Sequence, residues 1–199
     1  MTGLLYRRDV VKTLLARRDA DTLVVAGLGS SAWDVAAAGD DERNFCLIGG
    51  MGLTVPIGLG LAEAQPGKRI LVITGDGDML MSMGALATVA KARPRNLAIV
   101  VLDNERFGET GGQPTHTAGV TDLVAVAKGA GIAVASTIRD PSGIAAMVDS
   151  VYETPGPVFH VVKITYETVE DVKPPLDGVY AKNRFRVALL GTKAAVGGR

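Results

Sequence analysis

Two stretches decide the fold: Arg69-Ile70-Leu71-Val72-Ile73-Thr74-Gly75-Asp76-Gly77 and Leu97-Ala98-Ile99-Val100-Val101-Leu102-Asp103-Asn104. Each is an apolar run without polar alternation, the pattern of a strand buried on both faces of a sheet. Residues 79–92 between them read as one helix, with Met79, Met83, Leu86 and Ala90 on a common face and Pro94 as its stop. Strand, helix and strand at this spacing form a βαβ unit, so the two strands run parallel.

The alternation extends outward in both directions. Residues 4–17 read as an opening amphipathic helix, 22–26 as a strand, and Gly27-Leu28-Gly29-Ser30-Ser31 as a turn into a helix through residue 38. A short strand at 44–48, a tight loop Gly49-Gly50-Met51-Gly52 and a helix at 54–64 lead into the first decisive run. After the second come a glycine-rich loop (106–119), a helix (121–129), a strand (133–137), a helix (142–152) and a strand (158–164). The expectation is an α/β fold: a doubly wound, mostly parallel sheet with helices on both faces. Residues 1–166 read as one domain and 167–199 as a C-terminal surface tail, with Pro174-Pro175 near its start and residues 197–199 loose.

Composition narrows the partners. The 199 residues are 47% hydrophobic, enough for one sizeable core. Basic and acidic residues balance at 21 each, which gives no support for binding nucleic acid or a membrane surface. Cys46, the only cysteine, cannot close an internal disulfide, which fits a reducing, cytoplasmic setting. Residues 1–19 mix charged and apolar residues and do not read as a signal peptide. Residues 45–62 carry no formal charge, but five glycines and Pro56 make a strand, a turn and a buried helix the better reading than a membrane span.

In a parallel α/β sheet, ligands bind beyond the carboxyl ends of the strands. Asp76 and Asn104 stand at two such ends. A carboxylate and an amide oxygen there, joined by a carbonyl of the following loop, suit one hard cation, and that cation can hold a diphosphate. Gly75 and Gly77 let backbone approach an anion closely, and the helix that follows presents free N–H groups to it. His160, in an apolar strand, reads as structural. A nucleotide-binding module without chemistry is the alternative from another class. Its glycine turn is incomplete, because Ala32 stands where the third glycine belongs.

Gly49-Gly50-Met51-Gly52, then Gly75-Asp76-Gly77, then Asp103-Asn104 after twenty-five further residues, resembles the diphosphate-binding domain of thiamine diphosphate enzymes over residues 21–164. The resemblance implies thiamine diphosphate and Mg2+ as cofactors, with Asp76, Asn104 and the Arg106 carbonyl as magnesium ligands. It implies that Met51 lies beneath the bent cofactor, and that the Met51 N–H and the Gly49 carbonyl hold its aminopyrimidine. Gly29, Ser30 and Ser31 would be a second diphosphate contact. Asp78 departs from the pattern: relatives more often carry serine or a small residue there. A carboxylate facing a diphosphate would repel it, so Asp78 is expected to cap its own helix.

In this family the glutamate that activates the cofactor belongs to a separate pyrimidine-binding domain. The resemblance therefore implies a pyrimidine-domain partner subunit, with the active site at an interface in a homo- or hetero-oligomer. Gly108-Glu109-Thr110-Gly111-Gly112-Gln113 and the segment 177–186 resemble the subgroup that decarboxylates sulfopyruvate or phosphonopyruvate. That implies a small anionic 2-oxo acid as substrate; another decarboxylase or a carboligase is the alternative within the family. Glu109, Gln113 and His116 follow the metal ligands and become candidates for relaying protons or positioning the substrate. Lys182, Arg184 and Arg186 read as solvated or partner-docking cations more readily than as the anion site.

Overall fold

The apolar runs assemble into a six-stranded, wholly parallel sheet in the computed structural model, which describes residues 5–195. In chain order the elements are α1 (Arg7–Leu15), β1 (Thr22–Ala26), α2 (Ser30–Ala37), β2 (Asn44–Cys46), α3 (Thr54–Ala64), β3 (Arg69–Gly75), α4 (Asp76–Met81), α5 (Ala85–Ala92) and β4 (Leu97–Asp103). There follow β5 (Arg106–Phe107), β6 (Gln113–Pro114), α6 (Leu123–Ala130), β7 (Val134–Ile138), α7 (Ile144–Glu153), β8 (Val158–Lys163) and α8 (Gly178–Ala195). The sheet order is β2-β1-β3-β4-β8-β7, and β5 and β6 form a separate small antiparallel ribbon.

Both faces of the sheet are covered, which is why its strands carry unbroken apolar runs. Ile70 and Val72 of β3, with Leu97, Ile99 and Val101 of β4, pack in one core with α3, α5 and α6. Leu71 and Ile73, with Ala98, Val100 and Leu102, point the other way and meet α1, α2 and α7. These central residues are fully buried or nearly so. On the order of 2 kcal/mol for each buried aliphatic side chain makes the two strands the main hydrophobic contribution to the fold.

The fold differs from the expectation in three places. The helix read over 79–92 is two helices, broken at residues 82–84, and Met83 is exposed while Met79 and Leu86 are fully buried. Gly84 is the weak point in the pattern, since glycine gains least from a helical backbone. The glycine-rich loop is partly ordered by the β5–β6 ribbon. The tail contains α8, which packs on β2. Phe185 of α8 is 8% exposed, its ring 5.3 Å from that of Phe45, and Arg184 pairs with Asp40 at 2.8 Å. Residues 197–199, expected to be loose, lie outside the described residues.

His160 is structural. It is buried in β8, with Nδ1 2.8 Å from the Ser136 hydroxyl and Nε2 3.0 Å from that of Ser150. Burial drives its pKa down to about 4. An unfolded histidine titrates near 6.5, so as pH falls the unfolded chain takes up the proton first. Stability is therefore lost between about pH 6.5 and about pH 4, by about 3 kcal/mol at full size. His160→Gln cannot titrate, and should flatten the fall in melting temperature across that window; an acid slope equal to wild type would refute this account.

Candidate active site

The order of the strands creates the site. From β1 the chain leaves through α2 toward β2, whereas from β3 it leaves through α4 and α5 toward β4. The two connections diverge and leave a crevice at the carboxyl ends of β1 and β3. A cavity of about 550 Å³ opens there, lined among others by Ser30, Ser31, Gly75, Asp76, Gly77 and Asn104.

Asp76 begins α4 directly after β3 and is 2% exposed. Its Oδ2 accepts from the Thr115 hydroxyl at 2.5 Å and lies 3.2 Å from the Thr117 hydroxyl. Burial pushes its pKa up to about 6; the Thr115 hydrogen bond works against that rise and the nearby Asp103 adds to it. Asn104 follows β4, and its Oδ1 accepts the Arg106 N–H at 2.9 Å. Glu105, between them, takes a left-handed backbone (φ 61°) that makes this turn. An amide oxygen has a second lone pair, so Asn104 retains a site for a cation. Asp103 is committed elsewhere, to Lys163 at 2.7 Å and to the Thr117 hydroxyl at 2.8 Å.

Two glycines set close approaches. A Cβ on Gly77 would lie 2.8 Å from the Phe107 ring and 3.2 Å from Met51 Cε, so only glycine lets those side chains close over it. Met51 is 38% exposed and lines the cavity, so it is not core. Gly29, the residue before α2, has φ 69°, and a Cβ there would lie 2.8 Å from Glu109 Oε1. Glu109 thus lies over the first turn of α2. Gly49 is exposed and lies outside the cavity wall.

Asp78 is not the helix cap that the sequence reading expects. Residue Gly75 precedes α4 without a side-chain cap, and Asp78 is buried inside the helix. Its carboxylate accepts from the Gly52 N–H, from the Thr54 hydroxyl at 2.5 Å and from the Thr74 hydroxyl. With three donors on its two oxygens, Asp78 is directed at the Gly49–Gly52 loop and ties the turn carrying Met51 to the end of β3.

The catalytic candidates separate. Glu109 lines the cavity, whereas Gln113 and His116 are exposed and lie outside its wall. Gln113 instead bonds to the Thr110 carbonyl at 2.9 Å. The cations that line the cavity are Arg7 and Arg106, not Lys182, Arg184 or Arg186. Arg7 is 5% exposed and is held by Asp34 at 2.8 Å. The segment following β8 also lines the cavity, through Tyr166, Glu167, Thr168, Val169 and Asp171. It is fixed where Thr165 N–H reaches the Leu5 carbonyl and where Arg8 reaches the Glu170 carbonyl at 2.7 Å. Sequence reasoning missed Arg7, Phe107, Thr115, Thr117 and this crossing segment. The one local signal was the Thr-x-Thr spacing around His116, which a 3-10 turn over residues 116–118 brings to a hydroxyl separation of 2.9 Å.

Fold and cavity together define a doubly wound α/β domain with a glycine-lined crevice and with hard oxygen donors at its edge. Residues 29–162 match the thiamine pyrophosphate enzyme family, in its C-terminal TPP-binding domain, and the chain belongs to that family. It is 38% identical over 131 residues to the sulfopyruvate decarboxylase subunit beta of Methanocaldococcus jannaschii, covering 66% of this chain and 69% of that one. It is 32% identical over 181 residues to the phosphonopyruvate decarboxylase of Streptomyces viridochromogenes, covering 90% of this chain but 45% of the relative. A solved structure from Mycobacterium smegmatis, assigned as thiamin diphosphate-dependent, superposes with a TM-score of 0.70 at 22% identity. It covers 83% of this chain and 33% of its own, and speaks for the fold. Among the described residues no helix is long and apolar enough to cross a membrane.

Proposed function

We propose that this chain is the β-type subunit of a thiamine diphosphate- and magnesium-dependent 2-oxo acid decarboxylase that converts sulfopyruvate to sulfoacetaldehyde and carbon dioxide. The observation that carries the reading is the placing of Asp76, Asn104 and Arg106 on one cavity wall beside Gly75 and Gly77, in a domain of this family. A carboxylate, an amide oxygen and a backbone carbonyl are the hard donors magnesium takes, and Gly75, where an added Cβ would meet only the Ser31 hydroxyl at 4.0 Å, leaves room for a diphosphate. The residues therefore fit the cofactor. When bound, thiamine diphosphate supplies the carbanion chemistry and the electron sink. The chain's own residues hold and orient it: Ser30 and Ser31 at the start of α2 serve the diphosphate, and Met51 supports the ring system. In this reading Glu109, which lines the cavity, carries a proton. Arg7 and Arg106 are the cations for the terminal anion of the substrate.

A partner subunit is supported by the name of the Methanocaldococcus relative, a subunit beta. It is also supported by Met51 and Met81, which line the cavity and are 38% and 65% exposed, apolar surface of the kind that another protein covers. In this reading the partner contributes a pyrimidine-binding domain and the activating glutamate. Phosphonopyruvate is the second substrate reading, favoured by the relative that aligns over 90% of the chain.

Calorimetric titration of the full chain with thiamine diphosphate, with and without Mg2+, tests the cofactor; the expected result is binding that requires the metal. The chain alone should bind weakly, and absence of any metal-dependent binding both by the chain and by its mixture with a pyrimidine-domain subunit would overturn the proposal. Met51→Ala separates support of the cofactor from packing. A core methionine would cost about 2–5 kcal/mol on truncation. Because Met51 is 38% exposed, the variant should lose turnover in the assembled enzyme with little change in melting temperature. The reverse pattern would remove Met51 from the site.

A further inference from the structure

We infer that Thr115 and Thr117 are positioning residues for the metal: they hold Asp76 by one carboxylate oxygen so that the other faces the cation. The inference rests on the reading of Asp76 as a magnesium ligand. Asp76, Thr115, Thr117 and Asp103 are all buried, at 2%, 3%, 7% and 2% exposure. Thr115 Oγ1 is 2.5 Å from Asp76 Oδ2, Thr117 Oγ1 is 3.2 Å from the same oxygen, and the two hydroxyls are 2.9 Å apart. Both contacts fall on Oδ2, and among the described residues no side chain bonds Oδ1.

The proton count makes the arrangement specific. Each hydroxyl has one proton to give. Thr115 has Asp76 as its carboxylate acceptor. Thr117 stands between Asp76 Oδ2 and Asp103 Oδ1, the latter at 2.8 Å, and its proton serves one carboxylate at a time. Asp103 has its own counter-charge in Lys163, which also bonds Glu105 at 2.6 Å. Two buried carboxylates are thus kept apart in role by two threonines: Asp103 is neutralised by lysine, and Asp76 is left for a cation. A cation at Oδ1 would draw charge from Asp76 and leave the Thr117 proton to Asp103.

The same residues join the two halves of the metal site. Thr115 N–H donates to the Glu105 carbonyl at 2.9 Å, closing the base of the β5–β6 ribbon next to Asn104 and Arg106. Asp76, from the end of β3, and the Asn104–Arg106 turn, from the end of β4, are therefore fixed relative to one another through Thr115. Groups that orient a metal's direct ligands typically change metal affinity about 10–100-fold when removed.

The test uses the full chain and reads the Mg2+ concentration that half-saturates thiamine diphosphate binding by calorimetry. Thr115→Val should raise that concentration by about 10–100-fold. Thr115→Ser, which keeps the hydroxyl, should restore it to near the wild-type value. Melting temperature in EDTA is measured alongside. A purely structural role predicts a lower melting temperature in Thr115→Val with an unchanged Mg2+ requirement, and that result would overturn the inference. So would a Thr115→Ser variant as defective as Thr115→Val. If Thr115→Val does not fold, Thr117→Val and Thr117→Ser carry the same comparison. Failure of the wild-type chain to show any Mg2+-dependent binding, alone and mixed with a pyrimidine-domain subunit, would instead reject Asp76 as a ligand, and this inference with it.

Discussion

Asp76→Ala is expected to abolish magnesium-dependent binding of thiamine diphosphate without costing the metal-free protein stability. The residue stands at the end of β3 on the cavity wall and offers the one charged oxygen of the three donors. Loss of a direct ligand should weaken binding by more than about 100-fold, beyond what loss of an orienting group does. The fold should tolerate the change because the carboxylate is a burden to it. Burial pushes its pKa up to about 6, so the charged form is disfavoured by the folded chain at neutral pH. Removing it leaves only the Thr115 and Thr117 hydroxyls to find new partners. Asn104→Ala should act in the same direction but more weakly, since it deletes a neutral ligand. The measurement is the thiamine diphosphate titration with and without Mg2+, with melting temperatures of the metal-free variants beside it. Wild-type affinity in both variants would remove the metal from this site.

The second large effect is dependence on a partner. The chain alone should release no carbon dioxide from sulfopyruvate or phosphonopyruvate, and a pyrimidine-domain subunit should restore release. The arrangement of acids explains why. Asp76 and Asp78 are both engaged by buried donors, and Glu109 lies over Gly29 at the start of α2. Met51 and Met81, exposed on the cavity wall, are the apolar surface against which the partner would close. Mixing should also shift the chain to a larger species in sedimentation. Sustained turnover by the chain alone would reject the divided site. Glu109→Gln and Glu167→Gln would then show which acid of its own cavity does the activating, since both line it.

Most of the fold was legible because its signals are local. The strand ends at Gly75 and Asp103 follow from where apolar runs stop, and the helix at residues 54–64 coincides with α3. The helix over 79–92 misled because its apolar spacing continues across a break: one glycine and an exposed Met83 do not disturb a pattern read by period. Residues 167–199 read as a tail because of Pro174-Pro175 and the basic residues that follow, yet Phe185, with Leu189 beside it and Arg184 paired to Asp40, seats α8 against Phe45. Of the candidate site, Ser30, Ser31, Gly75, Gly77, Asp76, Asn104, Arg106, Met51 and Glu109 come from motif positions and do line one cavity, whereas Gly49 does not.

What the sequence by itself determined was a parallel sheet buried on both faces, with an acid and an amide at two strand ends. Hydrophobic period and chain length fix those features residue by residue, without reference to distant neighbours. Only the tertiary structure decided where side chains on that frame are aimed. The order β2-β1-β3-β4-β8-β7 puts the crevice between β1 and β3, and no local pattern encodes strand order. Asp78 turns to Thr54 rather than to a ligand across twenty-four residues of chain, Asp76 meets Thr115 across thirty-nine, and Arg7 meets Asp34 across twenty-seven. A buried carboxylate must find donors or a cation, but which ones it finds depends on segments brought together only when the chain closes its core.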